Sequence, residues 1–339
     1  MIDGGYTVSW TTPHCVLTLR LIGLTFDCYD GRKKEQLLSA EQKETALKKL
    51  PSLLEMAGHA YFFGGFLVGP QFPMSRYLSF VRGDFADKVS NGPPASVKPG
   101  LSRLGGGLLY IFLYQISLLF LSEPYLLSSD FQEGACIMTG LTYNGKDENG
   151  NDLWNGCANI HVIAYEKGST LQDLIKAFNV NTNKWMAKYI FKRLKFLGNK
   201  YISQFTTLMF LAIWHGLYSG YFMNFLLEFF IMKFEREVTT ILLRLTTVQN
   251  IWYLPGGPFL FWVIKKAWCQ FMLSYALVSF CLLAFNQYMQ VYASVLFILH
   301  VICLAWIPLY PQLKRLVAGD NKSNGVNSEV GATVRPKSD

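Results

Sequence analysis

Long apolar runs alternate with short polar stretches along this chain. Three of the runs are long enough to cross a bilayer as helices, which takes about 20 residues. Residues 104–121 read LGGGLLYIFLYQISLLFL without a charge; residues 205–230 carry one carboxylate, Glu228; residues 291–310 read VYASVLFILHVICLAWIPLY. A fourth run, 269–285, is shorter and follows Lys265 and Lys266, which suit an interface. Two further runs, 16–26 and 57–72, are apolar but interrupted. The second holds Gly64, Gly65, Gly69 and Pro70, a composition expected of a broken or re-entrant element, which must be surrounded by protein or a water cavity. Between the runs, residues 30–49 are charged with helical character, whereas 83–99 and 142–152 carry turn residues and suggest loops. The pattern predicts an all-α, multi-pass transmembrane helical bundle over residues 1–313 and a disordered polar tail over 314–339.

Composition supports a lipid-facing surface. Charged residues make up 16% of the 339 and mean hydropathy is +0.22, against roughly 25% charged in soluble domains. Disorder needs the opposite balance. The seven cysteines are scattered and odd in number, without a C-x-x-C pair, which excludes a small disulfide scaffold. The net charge of +8 is interleaved with apolar runs, so nucleic acid is a poor partner and anionic lipid headgroups or a phosphate-bearing substrate a better one. The first ten residues, MIDGGYTVSW, lack the basic and apolar regions of a signal peptide, so insertion is expected through internal segments.

Candidate chemistry concentrates between Leu174 and Leu227. This stretch holds Lys176, Lys184, Lys188, Lys192, Arg193, Lys195 and Lys200 but no Asp or Glu. Lys184, Lys188 and Lys192 recur every fourth residue and would share one face of a helix. A positive flank beside a membrane span is the plain reading; a cationic surface for phosphates is the sharper one. His215 follows, inside an expected span, where an ionisable group is a functional candidate. On a continuous helix Tyr218 and Ser219 would share its face, and Gly216 and Gly220 would form a G-x-x-x-G for close helix approach. A neutral imidazole beside hydroxyls is suited to taking a proton from an alcohol, although no carboxylate nearby in sequence could orient it. His300 suits a core or interhelical role. His161 begins HVIAYE, with Glu166 where an H-x-x-x-x-D acyltransferase would need Asp, and His14 and His59 lack metal-ligand spacing; no metal site is expected.

Three segments look familiar together: Phe178-Asn179 through Trp185, Tyr189 through Lys200, and Trp214-His215-Gly216-Leu217-Tyr218-Ser219-Gly220-Tyr221. They resemble the membrane-bound O-acyltransferase family, and Pro51-Ser52-Leu53-Leu54-Glu55 and the stretch from Phe66 to Phe72 extend the likeness. The resemblance implies an enzyme of the endoplasmic reticulum membrane. It would transfer an acyl chain from acyl-CoA, a co-substrate rather than a cofactor, to the free sn-2 hydroxyl of a lysophospholipid. Lysophosphatidylcholine, -serine and -ethanolamine are the implied acceptors, and a homo-oligomer is allowed. The family pairs an intramembrane His with an upstream Asn, here His215 and Asn179. The residues alone do not separate Asn179 from Asn181 or Asn183. His215 would be the general base and Asn179 a positioning group. Lys192, Arg193, Lys195 and Lys200 are candidates for the CoA phosphates, and Trp214, Tyr218 and Ser219 for the substrate pocket.

Two departures from the family pattern are visible. The chain begins well inside the family's bundle, and Ser128-Ser129-Asp130-Phe131-Gln132 stands where another hydrophobic segment is expected. These suggest a shortened form, truncated at its N-terminus and lacking one internal helix. The competing readings are an inactive family member that binds lipid or partner proteins, and a transporter with His215 as proton relay.

Overall fold

The computed structural model describes residues 11–67, 69–85, 96–118, 136–245 and 253–332. Among these the secondary structure is helical. Isolated bridges join Lys146 to Asp152 and Ile160 to Phe178, without a strand. The helices are α1 (Thr11–Gly31), α2 (Ala40–Thr45), α3 (Leu53–Ala60), α4 (Met74–Val81), α5 (Val97–Leu118), α6 (Val162–Lys167), α7 (Leu171–Ala177) and α8 (Val180–Tyr189). They continue with α9 (Lys200–His215), α10 (Ser219–Leu242), α11 (Gly257–Leu282), α12 (Phe285–Ser294) and α13 (Ile298–Ala332). The chain divides into two compact units. One comprises Met1–Glu166 and Ile175–Ser203, the other Lys167–Leu174 and Gln204–Asp339.

In the first unit, α1 is the organising helix. Its Arg20 is 2% exposed and donates from Nη1 to the carbonyls of His59 and Ala60, both at 2.9 Å. Its Nη2 donates to the carbonyls of Gly65 at 2.8 Å and Pro70 at 3.4 Å. The guanidinium also lies 4.8 Å from the centre of the Phe72 ring. The non-helical backbone after α3 thus finds its hydrogen bonds inside the protein, as apolar burial demands. His59 holds the same segment through Nε2 and the Phe72 carbonyl at 3.0 Å. The Pro51–Glu55 motif has a local explanation. Ser52 caps α3, its Oγ accepts from the Glu55 N–H, and the Glu55 carboxylate accepts from the Ser52 N–H at 2.7 Å. This is a capping box. Phe62, Phe72, Leu141, Cys136 and Cys157 form a buried cluster of this unit. None of the seven cysteines is in a disulfide.

In the second unit, α10 packs along α11 and α13. Leu208 and Ala212 of α9 meet Phe225 of α10 in an apolar cluster that also gathers Tyr221, Met232 and Phe280. Two carboxylates of α10 are met by N–H groups: Glu235 accepts from the Leu171 N–H at 2.9 Å and Glu237 from the Trp306 indole at 3.0 Å. The Tyr275 hydroxyl and His300 Nδ1 meet at 2.7 Å between α11 and α13, an interhelical role for that histidine.

The expected spans are interrupted. Residues 205–230 do not form one helix, because the chain breaks between His215 and Ser219 where Gly216 adopts φ +140°. Residues 269–285 leave α11 at Leu283, φ +56°, and residues 291–310 turn at Leu296 and Phe297, φ +54° and +50°. α5 carries the first run to Leu118, and residues 119–121 lie outside the described residues, as do the five residues from Ser128 to Gln132. Among the described residues no single helix is long and apolar enough to cross a membrane; Phe285–Ser294 with Ile298–Val317, bent by 77°, meets the test together. Beyond Lys314, where a disordered tail is expected, α13 runs on to Ala332.

Arg20→Met should destabilise the first unit by at least about 3 kcal/mol, since each buried polar group left without a partner costs roughly 1–3 kcal/mol. Thermal unfolding in detergent measures this, and Arg20→Lys should recover only part of the loss.

Candidate functional site

The two residues that the family pattern pairs fall in different units, and each has its own surroundings. Asn179 precedes α8 and sits in the left-handed region at φ +54° and ψ +41°, which Asn tolerates better than most residues. The conformation is held from both sides. Ile160 bridges Phe178, the His161 N–H donates to Ala177 at 2.8 Å, and the Val180 N–H donates to Asn159 at 2.9 Å.

The structure separates the three neighbouring asparagines. Asn181 spends its side-chain amide on the carbonyls of Cys157 and Ala158 at 2.9 and 3.0 Å. Asn183 spends its own on Ile175 and Phe178 at 2.5 and 2.9 Å. Both therefore tie the loop together. Asn179 accepts at Oδ1 from Thr182 Oγ1 at 3.0 Å and from Asn159 Nδ2 at 3.5 Å. Its own Nδ2 has no acceptor among the described residues, so two N–H donors are left to offer.

His215 is the last residue of α9 and is half-buried. The break that follows removes Tyr218 and Ser219 from its helical face. Tyr218 is exposed, and Ser219 Oγ donates to the Leu283 carbonyl at 3.5 Å. The expected G-x-x-x-G does not form a ridge either, since Gly216 lies in the break. Gly220 alone makes the close approach. Its N–H donates to the Leu283 carbonyl at 3.0 Å, and a Cβ there would stand 2.1 Å from the Ser279 carbonyl oxygen. What surrounds the imidazole is aromatic. Ring centres lie at 4.6 Å for Trp214, 5.1 Å for Phe280, 5.5 Å for Tyr221 and 5.6 Å for Phe225. No hydrogen bond among the described residues occupies its nitrogens. Phe225 and Phe280 were not singled out from the sequence, and Tyr221 entered only as the last residue of the Trp214–Tyr221 motif. Tyr221 and Phe225 carried a weak signal as aromatics one and two turns beyond the break, whereas nothing local pointed to Phe280.

The basic stretch also differs from expectation. α8 ends at Tyr189 and a 3₁₀ segment, Phe191–Leu197, follows, so Lys184, Lys188 and Lys192 do not form one helical stripe. Lys188 is turned inward to Thr45 Oγ1 and lies 3.8 Å from the Asp27 carboxylate. Burial lowers its pKa, and Asp27 opposes that shift. Tyr189 donates to both Asp27 oxygens at 2.8 and 2.9 Å. Arg193 pairs with the fully buried Asp30 at 2.5 Å and stacks 4.0 Å over Phe26. Lys192 pairs with Glu41 at 2.5 Å. Of the four proposed phosphate ligands, Lys195 and Lys200 are exposed and have no ion-pair partner among the described residues, whereas Lys192 and Arg193 are already engaged. His161 contributes its backbone to the loop and His14 is exposed. Among the described residues no cluster of three or more His, Cys, Asp or Glu could hold a metal ion.

A membrane-bound O-acyltransferase family profile matches residues 4–133 and 111–278. The chain belongs to that family. It is 38% identical over 92% of its length to a mouse protein named lysophospholipid acyltransferase 5, covering 70% of that relative. The fruit fly protein of the same name is 38% identical, with 90% and 67% covered. A fission yeast lysophospholipid acyltransferase is 29% identical, with 94% and 70% covered.

Asn183→Ala and Asn181→Ala should each lower stability by about 1–3 kcal/mol through the carbonyls they abandon, while Asn179→Ala should change it by less than either. Denaturation curves of the three variants, read side by side, check the ranking.

Proposed function

We propose that this enzyme transfers an acyl chain from acyl-CoA to the free sn-2 hydroxyl of a lysophospholipid in the endoplasmic reticulum membrane. The acceptors would be lysophosphatidylcholine and also lysophosphatidylserine and lysophosphatidylethanolamine. The observation that carries the reading is an imidazole set at a helix break among aromatic rings, without a hydrogen-bond partner among the described residues, in a member of an O-acyltransferase family. The names of the relatives supply the substrate class.

In this reading His215 takes the proton of the glycerol hydroxyl as its oxygen attacks the thioester carbonyl. The new ester C–O bond forms, the C–S bond breaks, and the imidazolium returns the proton to the departing CoA sulfur. Asn179 donates N–H to a substrate oxygen or to the negative charge that develops on the carbonyl. Apolar surroundings limit hydrolysis of the thioester by excluding water. Lys195 and Lys200 meet the CoA phosphates by charge-assisted hydrogen bonds; Lys192 would first have to leave Glu41, and Arg193 keeps the first unit together. Acyl-CoA is a co-substrate, and no further cofactor takes part.

The test is conversion of lysophosphatidylcholine and arachidonoyl-CoA to phosphatidylcholine by membranes of cells that lack their own activity. His215→Ala should cost about 10²–10⁴-fold in rate, the usual contribution of a general base, and Asn179→Ala should lower kcat in protein that is still folded and membrane-inserted. Replacing Lys195 and Lys200 together by Glu should raise KM for acyl-CoA more than for the lysolipid. Product that persists in His215→Ala would falsify the assignment of the base. Membrane-inserted protein with no activity at all would favour the inactive, lipid-binding member of the family.

A further inference from the structure

A general base must be held at a fixed angle, and a hydrogen bond from its second nitrogen to a carboxylate or carbonyl commonly does this. His215 has no such bond among the described residues. Its ring is bounded on several sides instead. Phe225 is stacked on it, with 29° between planes at 5.6 Å, and Phe280 meets it at 80° and 5.1 Å. Tyr221 lies at 39° and 5.5 Å from the imidazole, and its ring centre is 5.0 Å from that of Phe280.

Phe280 belongs to α11, and its place over the imidazole depends on how closely α11 approaches the start of α10. Gly220 sets that approach. Its N–H bonds the Leu283 carbonyl at 3.0 Å, and a side chain there would collide with the backbone at Ser279 and Leu283. Gly216, at φ +140°, ends the helix immediately after His215 and so leaves the ring at the end of α9.

We propose that Phe280 and Phe225 form an aromatic clamp that positions the His215 imidazole, which has no hydrogen-bond partner among the described residues. The inference rests on the acyl-transfer reading and deepens it. Two perpendicular aromatic walls restrict rotation of the imidazole about its χ2 bond. The stacked Phe225 face also favours the imidazolium that exists between proton abstraction and proton return, because an aromatic face attracts a cation. Phe280 and Phe225 are positioning residues that act through His215.

The experiment compares Phe280→Leu, Phe280→Tyr, Phe280→Trp and the packing control Phe229→Leu in the full chain. Phe229 pairs with Phe205 at 5.7 Å and has no ring contact with His215. Phe280→Leu should lower kcat by about ten- to a hundredfold, the scale of a small misplacement in a catalytic geometry, with KM for both substrates little changed. Phe280→Tyr and Phe280→Trp should restore most of the rate, and Phe229→Leu should keep it. A second readout needs no turnover: the rate at which diethyl pyrocarbonate modifies His215, followed by peptide mass spectrometry. That rate should rise in Phe280→Leu and stay at the parental value in Phe229→Leu. The clamp is overturned if Phe280→Leu matches the parent in both readouts. It is also overturned if Tyr and Trp fail to rescue while Phe229→Leu loses as much as Phe280→Leu. If the parent chain shows no acyl transfer, the functional reading fails, and the modification rates alone decide the clamp.

Discussion

A helix that breaks among apolar side chains exposes backbone N–H and C=O groups that have no water to turn to. Meeting those groups internally is the constraint that orders this protein. In the first unit the debt falls on Arg20, whose guanidinium collects carbonyls from His59, Ala60, Gly65 and Pro70. Asn181 and Asn183 do the same for the carbonyls of Cys157, Ala158, Ile175 and Phe178. In the second unit the Gly220 N–H is taken up by Leu283 at the end of α11. Each break is thereby fastened to a neighbouring element, and each fastening positions something else.

For the candidate site the consequence is a division of labour among residues of one type. Three asparagines stand within five residues, and two are consumed in holding the loop. Among the described residues Asn179 is the one of the three whose side-chain donors meet no acceptor. Likewise, of five histidines, His59 and His300 have polar partners that explain them, while His215 has aromatic neighbours and none of the hydrogen bonds. His215 thus differs from His59 and His300 in what surrounds the ring, not in residue type.

Electrostatics follow the same logic. A run of seven cations with no acid nearby in sequence suggests a surface that repels itself until an anion arrives. In the folded chain Asp27, Asp30 and Glu41, all from the region of α1 and α2, already meet Lys188, Arg193 and Lys192. Burying Asp30 completely is tolerable because Arg193 neutralises it with a short contact. Lys195 and Lys200 are exposed and have no ion-pair partner among the described residues.

Much of this was legible beforehand. The apolar runs announced helices, the capping box at Ser52 and Glu55 is local by nature, and the glycines and proline of residues 57–72 marked a broken segment correctly. The Asn179 and His215 motifs, with their flanks, identified the family, because such motifs are contiguous and survive in a single sequence. The continuity of the helices was not legible. One glycine at positive φ ended α9 at His215, and with it went the shared face expected of Tyr218 and Ser219. Nor was the partner of any charge, since Arg193 and Asp30 are far apart in the chain, or the wall over the imidazole, since Phe280 arrives from another helix. The sequence by itself determined the family and which stretches are apolar, because these depend on side-chain type and near spacing. Only the tertiary structure decided which polar groups remain unspent, because hydrogen bonds and ion pairs are claimed by neighbours that folding, not sequence order, brings close.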